Sequence, residues 1–181
     1  LTVVEGNFEQ GFSVVTRIWQ YGALHETQLS GRLPPAPNLL QIFNNFRSVY
    51  NQWQSTYRIK PIPGQVTNFS YREVASSSFV LANCLNEWLN SDYLEWKNIR
   101  EELLGNLSEE DEIEFIIQTQ DIQLRQLPWH LWNLISERFV NAEFIFSSLK
   151  YKPPLPPNPT NKVTILAILG DTTNIKVEED K

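Results

Sequence analysis

Over the first 33 residues the apolar positions fall in short β-branched and aromatic runs. These are Val3-Val4 and Phe12-Ser13-Val14-Val15-Thr16-Arg17-Ile18-Trp19, with Gly6-Asn7 and Gly11 as turn residues between them. Runs of this kind bounded by turn residues predict strands. His25-Glu26-Thr27-Gln28-Leu29-Ser30-Gly31-Arg32-Leu33 reads as a weaker third strand, so the segment predicts a small antiparallel meander. Leu33-Pro34-Pro35-Ala36-Pro37 ends it, because proline fixes φ, removes a ladder donor and biases its predecessor to extended backbone.

The spacing then lengthens. Leu39, Ile42, Phe43, Phe46, Val49, Tyr50 and Trp53 recur three and four apart, which predicts a helix from about Asn38 to Tyr57 with one apolar stripe. Pro61-Ile62-Pro63-Gly64 opens a loop that runs to Ser70. A second helix is expected over Tyr71 to Asn90, its apolar side carried by Val74, Phe79, Leu81, Leu85, Trp88 and Leu89. A third, Leu94 to Leu104, meets a stop signal at Gly105-Asn106.

From Asp111 the pattern changes again. Ile113-Glu114-Phe115-Ile116-Ile117 has the character of a buried strand, and Thr119-Gln120-Asp121 of a turn. Leu124-Arg125-Gln126-Leu127-Pro128-Trp129-His130-Leu131-Trp132 opens a short helix, with Pro128 suited to its first turn. Ala142-Glu143-Phe144-Ile145-Phe146 is another strand, and Pro153-Pro154-Leu155-Pro156-Pro157-Asn158-Pro159 a stiff polyproline linker. Val163 to Leu169 is the most apolar run, as expected of a parallel strand covered on both faces. The chain therefore predicts an α/β fold: a mixed sheet holding 113–117, 144–146 and 163–169, flanked by helices and preceded by the meander. Its expected divisions are 1–110 (meander and helical region), 111–152 (strand-helix-strand), 153–161 (linker) and 162–181 (the first strand of a further core).

Composition narrows the function classes. Apolar residues make up 41% of the 181, aromatic residues 12% and charged residues 20%, a globular balance. The formal charge of -6, with no concentration of Lys and Arg, argues against nucleic acid and against anionic membrane surfaces. No apolar run reaches the roughly 18 residues of a membrane helix. Leu1 to Glu9 lacks the basic start of a signal peptide. A single cysteine, Cys84, cannot staple a secreted fold, and with His25 and His130 alone a Cys/His zinc site is not expected. The cytoplasm is the simplest compartment. Met is absent altogether, and the chain ends shortly after its most apolar run; both features read as those of a segment of a larger protein.

Candidate chemistry is thin. Cys84 sits mid-helix near the apolar side, where a free thiol behaves as a small hydrophobe, so it is not expected to be a nucleophile. His130, between Trp129 and Leu131, is expected to be a structural, hydrogen-bonded residue. Glu109-Glu110-Asp111-Glu112 reads as a solvated loop. Gly170-Asp171 follows a strand, where α/β proteins place ligand loops, which makes these two residues a candidate ligand loop. That loop lacks the glycine spacing and lysine of a phosphate loop. Trp129 and Trp132, three apart, are expected to pack in the core, at least one of them fully buried. No catalytic, cofactor-binding or metal-binding residue is expected, and no cofactor.

The order strand, Leu127-Pro128-Trp129-His130-Leu131-Trp132, strand, and then a strand ending Ala167-Ile168-Leu169-Gly170-Asp171 resembles the beginning of a CHAT domain, a caspase-like branch of the cysteine peptidases. The resemblance is clearest over 111–171 and rests on the hexapeptide, a structural motif, together with its flanking strands. It implies the incomplete front portion of a caspase-like domain in a large multidomain bacterial protein. The family's catalytic His and Cys follow later strands, so neither His130 nor Cys84 inherits those roles. The implied function is a non-catalytic structural or interaction segment, partnered by other domains of the same chain. The alternative is a stand-alone α/β ligand-binding or enzyme domain using the loop after Leu169. An exposed apolar strand at 162–171 further predicts self-association through that strand, or disorder there.

Overall fold

The structure, a computed structural model, describes residues 1–19, 26–58 and 71–147, with side chains for all of these except 56–58. The chain divides into two compact units, Leu1–Tyr151 and Lys152–Lys181, and every described residue belongs to the first. His25, the loop at 61–70, the polyproline linker, the Val163–Leu169 strand with its predicted self-association, and the Gly170-Asp171 loop lie outside the described residues.

Three strands form the predicted meander: β1 (Thr2–Asn7), β2 (Gly11–Trp19) and β3 (Glu26–Leu33). Both glycines of the first turn adopt conformations that side chains disfavour, Gly6 at φ 131° and Gly11 at φ 83°. A Cβ on Gly11 would also collide with the carbonyl of Leu33. Next come α1 (Leu39–Arg58), α2 (Tyr71–Leu89) and α3 (Leu94–Asn106), then β4 (Ile113–Gln118), two short helices α4 (Ile122–Gln126) and α5 (Asn133–Ser136), and β5 (Ala142–Ser147).

The five strands make one mixed sheet in the order β3-β2-β1-β4-β5. The meander is antiparallel, while β4 pairs in parallel with β1 on one side and β5 on the other. Meander and strand-helix-strand segment thus share a layer. Gln118 N donates to Leu1 O at 2.8 Å, and Thr2 Oγ1 to Gln118 Oε1 at 2.8 Å. Ile113–Ile117 and Phe144–Phe146 lie side by side, as their apolar patterning predicts.

Alternation sorts the sheet into two faces. Val3, Phe12, Val14, Ile113, Phe115 and Ile117 are buried on one face, against Leu81, Leu85, Trp88, Leu89, Trp96, Ile99 and Leu103 of α2 and α3. Val15, Arg17, Trp19, Gln28, Ser30 and Glu114 occupy the other. The close approach of α3 depends on Gly31, where a Cβ would stand 2.9 Å from Glu95 O and 2.8 Å from Ile99 Cδ1.

Three sequence expectations need correction. Phe79, assigned to the apolar side of α2, is 66% exposed, because it stands about 200° round the helix from Leu81 and so off the buried stripe of Leu81, Leu85, Trp88 and Leu89. The stripe itself continues through the half-buried Val74, Ser77 and Ser78. Gly105-Asn106 does not stop α3, which continues to Asn106, whose Nδ2 donates back to Glu102 O at 2.8 Å. Finally, the hexapeptide does not open one helix. It breaks after α4, and Pro128 (φ -81°, ψ 68°) precedes a single 3-10 turn, Trp129–Leu131.

Candidate functional site: a tryptophan junction between helices and sheet

The hexapeptide is placed by what precedes it. Asp121 Oδ1 accepts from Gln123 N (2.8 Å) and Leu124 N (3.0 Å), satisfying two donors that open α4. Leu124 and Leu127 are buried, which fixes the short α4 on the core. After Pro128 the 3-10 turn sends Trp129 and Trp132 into different parts of the interior, 1% and 0% exposed. Trp129 packs on Trp88, with centroids 5.9 Å apart. Trp132 lies 5.9 Å from Trp96 and edge-on to Phe115 of β4 at 5.7 Å. The expectation that at least one is buried therefore holds for both.

Each of these four indoles has a fixed partner. Trp88 Nε1 donates to Pro34 O (2.7 Å), Trp96 Nε1 to Leu89 O (2.6 Å), Trp129 Nε1 to Leu124 O (2.7 Å) and Trp132 Nε1 to Asn90 Oδ1 (2.9 Å). A buried N–H without an acceptor costs roughly 1–3 kcal/mol, so four satisfied donors make the cluster specific as well as apolar.

Sequence reasoning missed the polar clamp around the turn. Asn86 Nδ2 donates to Leu131 O at 2.9 Å, and Asn86 Oδ1 accepts from Asn133 N at 2.8 Å. Four residues on, at the end of α2, Asn90 accepts from the Trp132 indole and donates through Nδ2 to Asn133 Oδ1 at 2.8 Å. The signal was present as two asparagines four apart beside Leu85, Trp88 and Leu89, which puts them on one helix face. What they hold could not be read, because their partners lie more than 40 positions away.

The reactive side chains do not converge on this junction. His130 is exposed, so the hydrogen-bonded structural role expected for it is not what the structure shows. Cys84 is half-buried in α2, and burial, reinforced by the Glu87 carboxylate, pushes its thiol above the ordinary range. A raised thiol is the opposite of an activated nucleophile. Burial works against the Arg100 cation, while Asp92 and Glu101 favour it. In the acidic run Glu109 reaches Arg138 at 3.6 Å, and Asp111 Oδ2 accepts from Ser108 N at 2.7 Å, closing a turn. Among the described residues no group of three or more His, Cys, Asp and Glu could hold a metal ion. No described helix is long and apolar enough to cross a membrane.

Two surface depressions lie among the described residues. A groove of about 890 Å³ runs between α1 and α2, floored by Ile42, Val49 and Val80 and walled by uncharged polar groups with Glu73. A dent of about 440 Å³ lies over Asn90, Asn133, Glu109 and Arg138. Charge is segregated: residues 101–147 hold ten acidic residues and only Arg125 and Arg138 as bases.

Fold and junction together define an α/β domain with a mixed five-stranded sheet, held to its helices by a bonded tryptophan cluster. No protein-family model, curated protein or solved structure matches the chain.

Proposed function

We propose that this chain is a non-catalytic structural and interaction segment at the front of a CHAT-like, caspase-like domain, inside a larger bacterial signalling or regulatory protein of the cytoplasm. Its partners are then other domains of the same chain. The observation that carries the reading is the fate of the hexapeptide. Both of its tryptophans are buried with their N–H groups bonded inside the chain, so the motif acts by positioning α4, the turn and β5 rather than by touching a substrate. The raised Cys84 thiol supports the same reading.

The test is peptide hydrolysis by the purified chain, together with the kinetics of Cys84 labelling. Slow labelling near neutral pH and no hydrolysis are expected. Fast labelling, with hydrolysis that disappears in Cys84→Ala, would overturn the assignment.

A further inference from the structure

The outermost strand on the meander side is built to accept a partner. Among the described residues β3 is an edge of the sheet. It pairs with β2 without a break from Phe12↔Leu33 to Trp19↔Glu26, so it is regular and eight residues long. Natural edges are guarded by charged side chains, above all lysine, by proline, by a bulge or by a covering helix or loop, and the charges of β3, Glu26 and Arg32, are of opposite sign. Glu26-Thr27-Gln28-Leu29-Ser30-Gly31-Arg32-Leu33 contains neither lysine nor proline, and its pairing shows no register shift, unlike the irregularity between Val3 and Glu5 in β1.

We infer that β3 pairs antiparallel with β3 of a second copy of this chain, about a two-fold axis through Leu29. Glu26 and Arg32 stand three residues to either side of Leu29. An antiparallel pairing centred there sets Glu26 of one copy opposite Arg32 of the other, twice. Side chains directly opposite on paired strands share a face, and both residues lie on the face away from the helices. The same register sets Gln28 against Ser30 on that face, and Leu29 against Leu29 on the helix side. Leu29 already packs against the core there. A slip of one residue would put helix-side groups on the opposite face, so the apolar pattern reinforces the charge pattern.

Each charged group retains capacity for this contact. Glu26 meets Arg17 at 3.4 Å with both side chains about half exposed. Arg32 spends Nε and Nη2 on Gln10 O, at 3.1 and 2.8 Å. Among the described residues the strand at the other end of the sheet offers no such match: β5 carries Glu143 beside Glu114 of β4 and has no basic residue. The isologous contact therefore forms on the side of the sheet away from this acidic pair.

The experiment is sedimentation equilibrium of the whole chain, with two single variants and their mixture. The wild type is expected to show a concentration-dependent monomer–dimer equilibrium. Glu26→Arg alone and Arg32→Glu alone each set like charges together twice, and each should weaken the dimer about tenfold or more while far-UV circular dichroism stays unchanged. An equimolar mixture of the two restores both opposite-charge contacts in a heterodimer and should recover association to near the wild-type level. Leu29→Cys in a Cys84→Ser background should form a disulfide-linked dimer on mild oxidation, and Trp19→Cys should not. A wild type that stays monomeric at about 100 µM overturns the inference, as does a mixture no more associated than its components.

Discussion

Removing the Trp132 side chain tests the junction most directly. The indole is fully buried, and an aromatic side chain of this kind hides about 150–250 Å². At about 25 cal/mol per Å², that surface alone contributes roughly 4–6 kcal/mol, in line with the roughly 3–5 kcal/mol measured for burying-site Trp→Ala changes. Truncation also deprives Asn90 Oδ1 of its donor and strips Trp96 and Phe115 of a neighbour. Against a total stability of about 5–15 kcal/mol, Trp132→Ala should remove at least about 3 kcal/mol. In urea, with a slope of about 1–3 kcal/mol per molar, the midpoint should fall by about 1 M or more. Far-UV circular dichroism is the suitable probe, because it does not depend on the fluorescence of the tryptophans being changed. His130→Ala, in the same turn but exposed, is the control and should stay within about 0.5 kcal/mol of wild type. A loss below about 1 kcal/mol for Trp132→Ala, at unchanged slope, would refute the view that this residue pins the turn to the sheet.

Asn86→Ala should cost about 1–3 kcal/mol in the same assay, since it orphans Leu131 O and Asn133 N together. Gly31→Ala should destabilise by about 1–3 kcal/mol, and in a double-mutant cycle the cost should be smaller in an Ile99→Ala background but not vanish, because the Glu95 carbonyl remains in the way; a cost that vanishes there would show that the side chain alone sets the α3 distance. Asp121→Ala should cost about 1 kcal/mol through loss of the α4 cap, measured by thermal melting. The Cys84 thiol is raised in the folded chain by burial first and Glu87 second, so its neutral form favours the fold. That contribution is present below the ordinary thiol pKa and is lost as pH rises through the raised value. The urea midpoint of wild type should therefore fall more steeply on the alkaline side than that of Cys84→Ser, and identical profiles would contradict the raised thiol.

Much of the fold was legible because its signals are local. The β-branched runs at Phe12–Trp19 and Ile113–Ile117, the three- and four-residue spacing through Leu39, Phe43 and Phe46, and the prolines at 34, 35 and 37 each report on a few neighbouring residues. Local sterics and side-chain alternation are enough to fix those elements. The burial of Trp129 or Trp132 was legible for the same reason, since two tryptophans so close together rarely both stay in water.

Tertiary structure decided the rest. Nothing near Pro128 distinguishes a helix start from a break. The turn is held open because Trp129 and Trp132 must reach separate aromatic partners, Trp88 and Trp96, while Asn86 takes up backbone groups that a continuing helix would have used and Asn90 accepts from the Trp132 indole. The joining of the meander to β4 rests on a pairing between residues 2 and 118, whose separation no local pattern encodes. By itself the sequence determined which segments are strands and helices and which face of each is apolar. Which faces meet depended on contacts between residues far apart in the chain. Burial and hydrogen-bond satisfaction select those contacts only once the layers are assembled.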